Sequence, residues 1–225
     1  MGPDLRSPSV QLSITPAGDV EIVSTHDQML DGQRYVGCRF PAERPYAEPI
    51  ARIALEVGRR LAGAGVIGRS AIDFVVVRDG HRRWRPYAVE INLRSGGTTH
   101  PLATLALLTG GTYDARTALF TTPTGTTKHY VATDHLADPS LRELGADGLL
   151  ALLRSGRLGF DHVRQRGVVF HMLSSLDELG VVGLTAVGDT PAEARRCYDR
   201  AASTVLESPH RWTCSPSAAN IAASA

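Results

Sequence analysis

Lysine is nearly absent from this chain. The 225 residues include 24 Lys and Arg residues, and Lys128 is the only lysine among them. Asp and Glu together number 23, so the formal net charge is +1 at pH 7. Nucleic-acid-binding proteins carry a concentrated excess of basic residues, and this balance gives no support for a nucleic-acid partner. We attribute the preference for Arg over Lys to genome base composition rather than to function.

Cysteine and long apolar segments are also scarce. Cys38, Cys197 and Cys214 are an odd number of cysteines without the spacing of a zinc site, which favours free thiols in a reducing cytoplasm. No apolar run reaches the roughly 18 residues that a membrane-spanning helix needs, and no N-terminal secretory signal is present. We therefore expect a cytoplasmic protein without a membrane partner, of a length that suits one large or two small domains.

Two apolar, strand-like runs, residues 72–77 and 88–93, are the most informative part of the chain. They flank a polar turn that contains Asp79-Gly80, and Asp-Gly between such runs is a signal for a β-hairpin. Each run carries an acid where its apolar pattern predicts none, namely Asp73 in the first and Glu90 in the second. A buried, unpaired carboxylate is costly, so these acids point to a specific role.

The spacing of the polar residues predicts a shared face. Alternate residues of a strand lie on one side, so Glu90, Asn92 and Arg94 are expected to point the same way, and Asp73 joins them if the two runs pair. Taken singly, Asp73 is also explained by a turn or an ion pair, and Asn92 by a strand cap. Together, two carboxylates and an amide oxygen suit Mg²⁺, and the adjacent guanidinium suits a phosphate or an acyl phosphate.

This arrangement, Asp73-Phe74 on one strand and Glu90-Ile91-Asn92-Leu93-Arg94 on the next, resembles the magnesium-binding core of ATP-grasp ligases. The family pattern is an acid followed by Glu-x-Asn-x-Arg, and the chain matches it at each position. The resemblance covers residues 8–205. Residues 94–101 and 183–188 are closest to one subgroup, the peptide ligases of pheganomycin-type biosynthesis.

The resemblance implies a fold and a set of residue roles. The implied fold class is α+β: the C-terminal lobe of an ATP-grasp fold, an antiparallel sheet with packed helices, followed by a small α+β C-terminal subdomain. Asp73, Glu90 and Asn92 would bind Mg²⁺ or Mn²⁺, and Arg94 would be the catalytic residue that stabilises charge on the transferring phosphoryl group. The residues expected to contact the substrate or the phosphates are Gly96, Gly97, Thr98, His100 and Gln28.

The implied reaction is the ATP-dependent joining of a carboxylate to an amine through an acyl phosphate. The partners would be ATP and two substrates, small molecules or peptides, one supplying the carboxylate and the other the amine. In this family a preceding lobe carries the basic residues, usually lysines, that hold the α- and β-phosphates. Here the matched pattern begins almost at Met1, and Lys128 follows the metal core. We therefore expect the N-terminal lobe to be absent.

Three origins of this absence stay open: a separate N-terminal lobe polypeptide, a truncated chain, or a misplaced start codon. Two functions stay open as well. The first is a fragment of a peptide-forming ligase that is incomplete as an isolated chain. The second is a non-catalytic remnant or binding module that keeps the fold without gripping the nucleotide.

Four segments are expected along the chain: a leader at 1–8, an ATP-grasp lobe at 9–120, an α+β subdomain at 121–207 and a disordered tail at 208–225. The polar, turn-rich stretch 121–127 is the reason for the central boundary. Apolar periodicity and helix-start signals predict strands within 9–40 and at 71–93, 129–133, 166–173 and 181–187, and helices at 47–63, 102–108, 146–155 and 191–207. The last helix is predicted to have Thr190 as its N-cap and Glu193 as the capping-box partner.

Overall fold

The computed structural model describes residues 4–79 and 83–212, with side chains to residue 207. Within these residues, nine strands form one sheet and two short strands form a separate hairpin. The strands of the sheet are β1 (Leu5–Arg6), β2 (Pro8–Ile14), β3 (Val20–Asp31), β4 (Arg34–Phe40), β5 (Gly68–Arg78), β6 (Trp84–Asn92), β9 (His129–Ala137), β10 (Gly167–His171) and β11 (Val181–Gly188). The hairpin is β7 (Thr112–Asp114) and β8 (Leu119–Thr121). The helices are α1 (Arg44–Gly63), α2 (Thr99–Thr109), α3 (Leu141–Ser155), α4 (Ser174–Leu179) and α5 (Pro191–Trp212).

The strand order of the large sheet is β1-β5-β2-β3-β4-β9-β11-β10, with β6 on the other edge of β5. The pairings between these strands are antiparallel. The α+β class and the antiparallel sheet with packed helices are therefore confirmed. The predicted hairpin is also present as β5 and β6, although residues 80–82 of its turn lie outside the described residues.

The strand β5 has one apolar face that belongs to the core. Ile72, Phe74 and Val76 are fully buried and pack in one cluster with the apolar face of α1, including Ile50 and Ala54. This is the period-two pattern of a strand with one covered face. Because these three side chains fix which side of β5 faces α1, the intervening residues must face the opposite side of the sheet.

Three helices begin earlier than predicted: α2 begins at Thr99 rather than at residue 102, α3 begins at Leu141 rather than at residue 146, and α1 also starts early. The helix α1 begins at Arg44 rather than at residue 47. Pro45 lies in its first turn, where proline is favoured, and Pro49 lies inside the helix. At the other end of the chain, α5 starts after Thr190 as predicted, with Thr190 Oγ1 accepting a hydrogen bond from the Glu193 N–H at 3.1 Å. The Glu193 side chain does not complete a capping box with Thr190; its Oε2 accepts from the Asp189 N–H at 2.9 Å.

The ends of the expected segments also need adjustment. Leu5 and Arg6 of the expected leader form β1 and pair with Val77 and Val76 of β5. The tail expected from residue 208 begins inside α5, which continues to Trp212, and residues 213–225 lie outside the described residues. Apolar periodicity alone does not show either feature, because a two-residue strand and a polar helix end carry too short a pattern.

The large sheet contains strands from both sides of the stretch 121–127, where a domain boundary is expected. Phe40 of β4 pairs with Tyr130 of β9, so strands from both expected domains are hydrogen-bonded neighbours. The second half forms its own apolar cluster, in which Leu184 and Leu136 of the sheet pack against Val205 of α5 and Leu149 of α3. The boundary itself stays a prediction.

No helix in the described part of the chain is long and apolar enough to span a membrane.

Lys128 joins two elements of the second half. Its side chain is only 1% exposed, and its Nζ lies 2.5 Å from Asp189 Oδ1, just before α5. The same Nζ donates a hydrogen bond to the Arg164 carbonyl oxygen at 3.1 Å. A cation removed from water needs such partners, because the free-energy cost of leaving it unpaired is several kcal/mol.

We predict that Asp189→Asn lowers the free energy of unfolding by about 2–3 kcal/mol, since it removes the charge that compensates the buried ammonium. The matched control is Asp199→Asn, which breaks the exposed Arg195–Asp199 pair on α5 and should cost less than about 1 kcal/mol. Urea unfolding gives both values. Amine-reactive labelling of Lys128 adds a second readout, because the lysine becomes accessible only when this region opens. If both variants lose the same free energy of unfolding, the stabilising role of the Lys128–Asp189 pair is contradicted.

His26 is a second buried ionisable group. It lies beside the rings of Phe40 and Tyr130, and its Nε2 is 2.6 Å from the Tyr130 hydroxyl. Burial lowers the pKa of His26 from 6.5 to about 3. A histidine with a lowered folded pKa contributes stability that is fully present above pH 6.5 and is lost as the pH falls, since only the unfolded chain gains the proton.

We predict that His26→Gln removes part of the acid sensitivity of the fold. Between pH 7.5 and pH 5, the lowered pKa of His26 accounts for a loss of about 2 kcal/mol in the free energy of unfolding. The variant should therefore lose about 2 kcal/mol less than the unmodified chain over this range, whatever its stability at pH 7.5. Denaturant titrations at the two pH values test this. If the variant and the unmodified chain lose the same free energy of unfolding between the two pH values, His26 does not stay neutral in the fold.

Candidate functional site

Asp73, Glu90 and Asn92 are brought together by the pairing of β5 with β6. Asp73 is the register partner of Glu90, and Ala71 is the partner of Asn92. The Asn92 Nδ2 donates a hydrogen bond to Asp73 Oδ2 at 3.2 Å. Asp73 lies on the side of β5 opposite to the core face, so its carboxylate is directed away from α1 and towards an open cavity.

A β-bulge adjusts the register at this point. Asp73 pairs with Glu90 and the next residue, Phe74, pairs with Ala88, so Val89 is an extra residue in β6. Ala88 and Glu90 are two residues apart in β6, yet because of the extra residue Ala88 pairs with Phe74 of the core face and Glu90 pairs with Asp73 of the opposite face. Bulges of this kind redirect side chains beside functional sites.

The cavity beside these residues has a volume of about 780 Å³. It is bounded by β2, β3, β5 and β6 and by the loop that leads to α2. The residues named from the sequence that line it are Asp73, Glu90, Asn92, Arg94, Gly96, Gly97, Thr98 and Gln28. Sequence reasoning named His100 as well, but His100 is not among the residues that line this cavity.

Gln28 reaches the site from β3. Its Nε2 donates a hydrogen bond to Asp73 Oδ1 at 3.0 Å, across 45 residues of sequence. Its Oε1 accepts from the Ser7 hydroxyl at 3.1 Å. Both carboxylate oxygens of Asp73 therefore accept hydrogen bonds from side-chain amides. These bonds hold the carboxylate in place.

Arg94 stands at the rim of the cavity. Its guanidinium is exposed, and its Nη1 donates to the Ser95 carbonyl oxygen at 3.2 Å. Among the described residues, Arg94 forms no ion pair with a carboxylate. An unpaired guanidinium beside two carboxylates leaves its planar set of N–H donors available to an anionic ligand.

The loop at residues 96–98 is held close to the sheet. A side chain at Gly97 would place its Cβ 2.7 Å from the Tyr35 ring, so only glycine fits without moving that ring. Thr98 is buried and accepts a hydrogen bond from Gln11 Nε2. The Gly96 N–H is bonded to Thr99 Oγ1 at 3.1 Å. The loop is therefore a positioned part of the cavity wall.

His100 lies instead against the second half of the chain. Its ring centroid is 4.5 Å from that of His171 on β10. Burial, with His100 beside it, lowers the pKa of His171 to about 4. The sequence places His100 only two residues after Thr98, yet the first turn of α2 directs its side chain to a different surface, because successive helix residues point about 100° apart.

Sequence reasoning missed the polar residues of β2. Ser9 is the register partner of Asp73, and both Ser9 and Gln11 are buried polar residues of the same strand. A signal for them was present, since Ser7, Ser9, Gln11 and Ser13 alternate with apolar residues along the strand. Alternation of this kind predicts one polar face, and here that face continues the face of Asp73.

The donor set fits a magnesium ion that retains other ligands. No cluster of three or more His, Cys, Asp or Glu side chains able to hold a metal occurs in the described ranges. Two carboxylates with an amide oxygen leave coordination positions for water and phosphate oxygens, which is how Mg²⁺ is bound in many nucleotide sites. Zinc is disfavoured, because thiolate and imidazole ligands are missing from this donor set.

Comparisons with known proteins match both halves of the chain. A family described as IQCH-like, ATP-grasp matches residues 4–116, which are half of the 225 residues. A family described as PGM1 C-terminal domain matches residues 148–201. The L-propargylglycine--L-glutamate ligase of Streptantibioticus cattleyicolor is 35% identical over 204 residues, which cover 91% of this chain and 41% of that ligase.

Solved structures agree on the fold. The phosphoribosylaminoimidazole carboxylase ATPase subunit from Aquifex aeolicus matches with a TM-score of 0.55 and 14% identity, over 89% of this chain and 56% of that one. The ADP complex of an N5-carboxyaminoimidazole ribonucleotide synthetase matches with a TM-score of 0.55 and 12% identity, over 91% of this chain and 50% of that one. The chain thus spans about half the length of these proteins.

The resemblance inferred from the acid on one strand and Glu-x-Asn-x-Arg on the next is confirmed by these comparisons. The family match covers the strands β1–β6, which carry Asp73, Glu90 and Asn92, and the residue Arg94 that follows them. The 35% identical relative is named as a ligase of L-propargylglycine and L-glutamate. The chain belongs to the ATP-grasp family.

Proposed function

We propose that the chain provides the metal- and phosphate-binding lobe of an ATP-dependent ligase that joins a carboxylate to an amine. The observation that carries this proposal is the single cavity of about 780 Å³ that gathers Asp73, Glu90, Asn92 and Arg94. The chemistry of such a reaction is positioning and charge neutralisation. Those are the properties that a rigid sheet face with oxygen ligands and one unpaired guanidinium supplies.

The carboxylates of Asp73 and Glu90 and the amide of Asn92 are the proposed ligands of Mg²⁺, or of Mn²⁺ in its place. When bound, the ion neutralises phosphate charge during phosphoryl transfer. Asn92 Nδ2 now donates to Asp73, so its Oδ1 would have to turn towards the ion. Gln28 holds the other oxygen of Asp73 and so keeps the carboxylate in position during that change.

Arg94 is the proposed catalytic residue. The γ-phosphoryl group of ATP passes to the substrate carboxylate, the bond to the β-phosphate breaks, and the acyl phosphate formed is attacked by the amine with loss of phosphate. Arg94 would stabilise the charge on the phosphoryl group in both steps. The loop of Gly96, Gly97 and Thr98 lies beside it and would place the anionic end of a substrate.

The substrate class follows from the relative of known activity. That protein is named for joining L-propargylglycine to L-glutamate, and it is 35% identical to this chain. We propose an amino acid or peptide as the carboxylate substrate and an amino acid as the amine. Because the chain spans 41% of that ligase, we also propose that a nucleotide-gripping lobe, in the same or a separate polypeptide, completes the site.

A cytoplasmic location stays a prediction from the cysteine pattern.

The metal assignment predicts that Glu90→Gln and Asn92→Ala each weaken Mn²⁺ binding by about tenfold or more, because each removes or neutralises one ligand. Stability should change by less than about 1 kcal/mol, since neither side chain is part of the core. Glu21→Gln is the matched control, an exposed Glu of β3 that does not line the cavity. Calorimetric titration with Mn²⁺ measures the affinities. The same affinity in all four proteins would refute the metal site.

The ligase assignment predicts no amide formation by the isolated chain with ATP, Mg²⁺ and amino acids. Fusion to the part of the Streptantibioticus cattleyicolor ligase that this chain does not cover should produce phosphate release coupled to amide formation. In that fusion, Arg94→Ala should lower the rate by about 10³-fold, as expected for an arginine that stabilises a transferring phosphoryl group.

The control for this experiment is Arg116→Ala, which removes an exposed arginine paired with Asp114 away from the cavity and should leave the rate unchanged. Amide formation by the isolated chain would show that no further lobe is needed. An active fusion in which Arg94→Ala has the rate of the control would remove Arg94 from the mechanism. A folded, Mn²⁺-binding fusion without any ligation would favour the alternative of a non-catalytic binding module.

A further inference from the structure

A second cavity, with a volume of about 690 Å³, lies in the other half of the chain. It is bounded by the segment after α3, the turn at residues 161–166, the start of β10 and one face of α5. Its lining residues are Arg157, Leu158, Gly159, Asp161, Arg164, Arg166, Gly167, Val168, Glu193, Arg196, Cys197 and Arg200. None of them lines the cavity of Asp73 and Glu90.

The lining carries an excess of positive charge. Five of its residues are arginines and two, Asp161 and Glu193, are acids, which leaves a formal charge of +3. The whole chain has a net charge of only +1. Like charges held close together repel one another, and the cost rises in a concave, partly desolvated surface. A bound anion would remove this cost.

The two acids orient arginines at the cavity. Asp161 Oδ2 accepts from Arg164 Nη1 at 2.9 Å, and backbone and side-chain hydrogen bonds from Arg164 lower the pKa of Asp161 to about 2. Glu193 Oε1 accepts from Arg166 Nη1 at 2.7 Å, while its Oε2 is bonded to the Asp189 N–H. Arg164 and Arg166 are therefore held in place at the cavity wall, and each keeps further N–H donors.

The other three arginines lack a carboxylate partner among the described residues. They are Arg157, Arg196 and Arg200. Arg200 Nη2 donates to the Gly156 carbonyl oxygen at 2.9 Å. Arg196 and Arg200 are four residues apart on α5, a spacing at which like charges destabilise a helix. Glu193, the acid on this face of α5, is paired with Arg166 and forms no ion pair with Arg196 or Arg200 among the described residues.

We propose that this cavity binds a small ligand through a diphosphate group or two neighbouring phosphate groups. Arginine presents a planar set of donors that matches the oxygens of a phosphate, and several arginines on different elements can surround two such groups. Arg166 approaches from the turn that precedes β10, Arg196 and Arg200 from α5, and Arg157 from the segment after α3. The proposal is independent of the ligase function, because the two cavities share no residue.

The test is calorimetric titration of the chain with inorganic pyrophosphate in EDTA, which excludes a metal-dependent contribution from Asp73 and Glu90. We expect saturable binding of one pyrophosphate that weakens as salt is added. The double variant Arg196→Ala/Arg200→Ala should weaken it by about tenfold or more, because two charge-assisted contacts are lost. The matched control is Arg142→Ala/Arg154→Ala, which removes two exposed arginines of α3 outside the cavity.

Arg94→Ala should leave this affinity unchanged, which separates the proposed site from the candidate catalytic site. Circular dichroism and thermal unfolding show that each variant is folded. Absence of pyrophosphate binding, equal affinity in the double variant and its control, or a loss confined to Arg94→Ala would each overturn the proposal. Citrate binding as tightly as pyrophosphate would overturn the assignment to phosphate ligands.

Discussion

The pairing of β5 with β6 is the contact on which the account of this protein depends. Ile72, Phe74 and Val76 bury one face of β5 against α1, and burial of each such side chain contributes about 1.5–3 kcal/mol. If β5 slipped by one residue within the sheet, these side chains would move to the wrong face. The register that protects the core is therefore the register that pairs Asp73 with Glu90. Stability of the core and geometry of the candidate site have the same cause.

The two halves of the chain use polar groups in different ways. In the first half, the amides of Gln28 and Asn92 hold the half-buried Asp73 carboxylate, which forms no ion pair among the described residues. In the second half, the ammonium of Lys128 is buried and paired with Asp189. The pairing of β4 with β9 joins both halves in one sheet. A rigid connection of this kind gives each cavity a fixed frame, and preorganised groups are what charge stabilisation requires.

Local patterns in the sequence predict some of these features and not others. Alternation of apolar residues around Asp73, and the spacing of Glu90 to Asn92, indicate the hairpin and its polar face, because strand periodicity is a local property. The bulge at Val89 and the hydrogen bond from Gln28 depend on segments that are distant in sequence. His100 shows most clearly what local patterns leave out. Its proximity in sequence to the loop 96–98 suggested a place beside the ligand, but its contact with His171 depends on how α2 packs.

The central claim is that the face formed by β5 and β6 is a divalent-metal site. Crystals of the chain grown with Mn²⁺ and measured at the manganese absorption edge test it most directly. The account predicts an anomalous peak coordinated by the carboxylate oxygens of Asp73 and Glu90 and by the amide oxygen of Asn92, with the Asn92 side chain turned from its present hydrogen bond to Asp73. A well-ordered hairpin with no peak at these oxygens at saturating Mn²⁺ would contradict it.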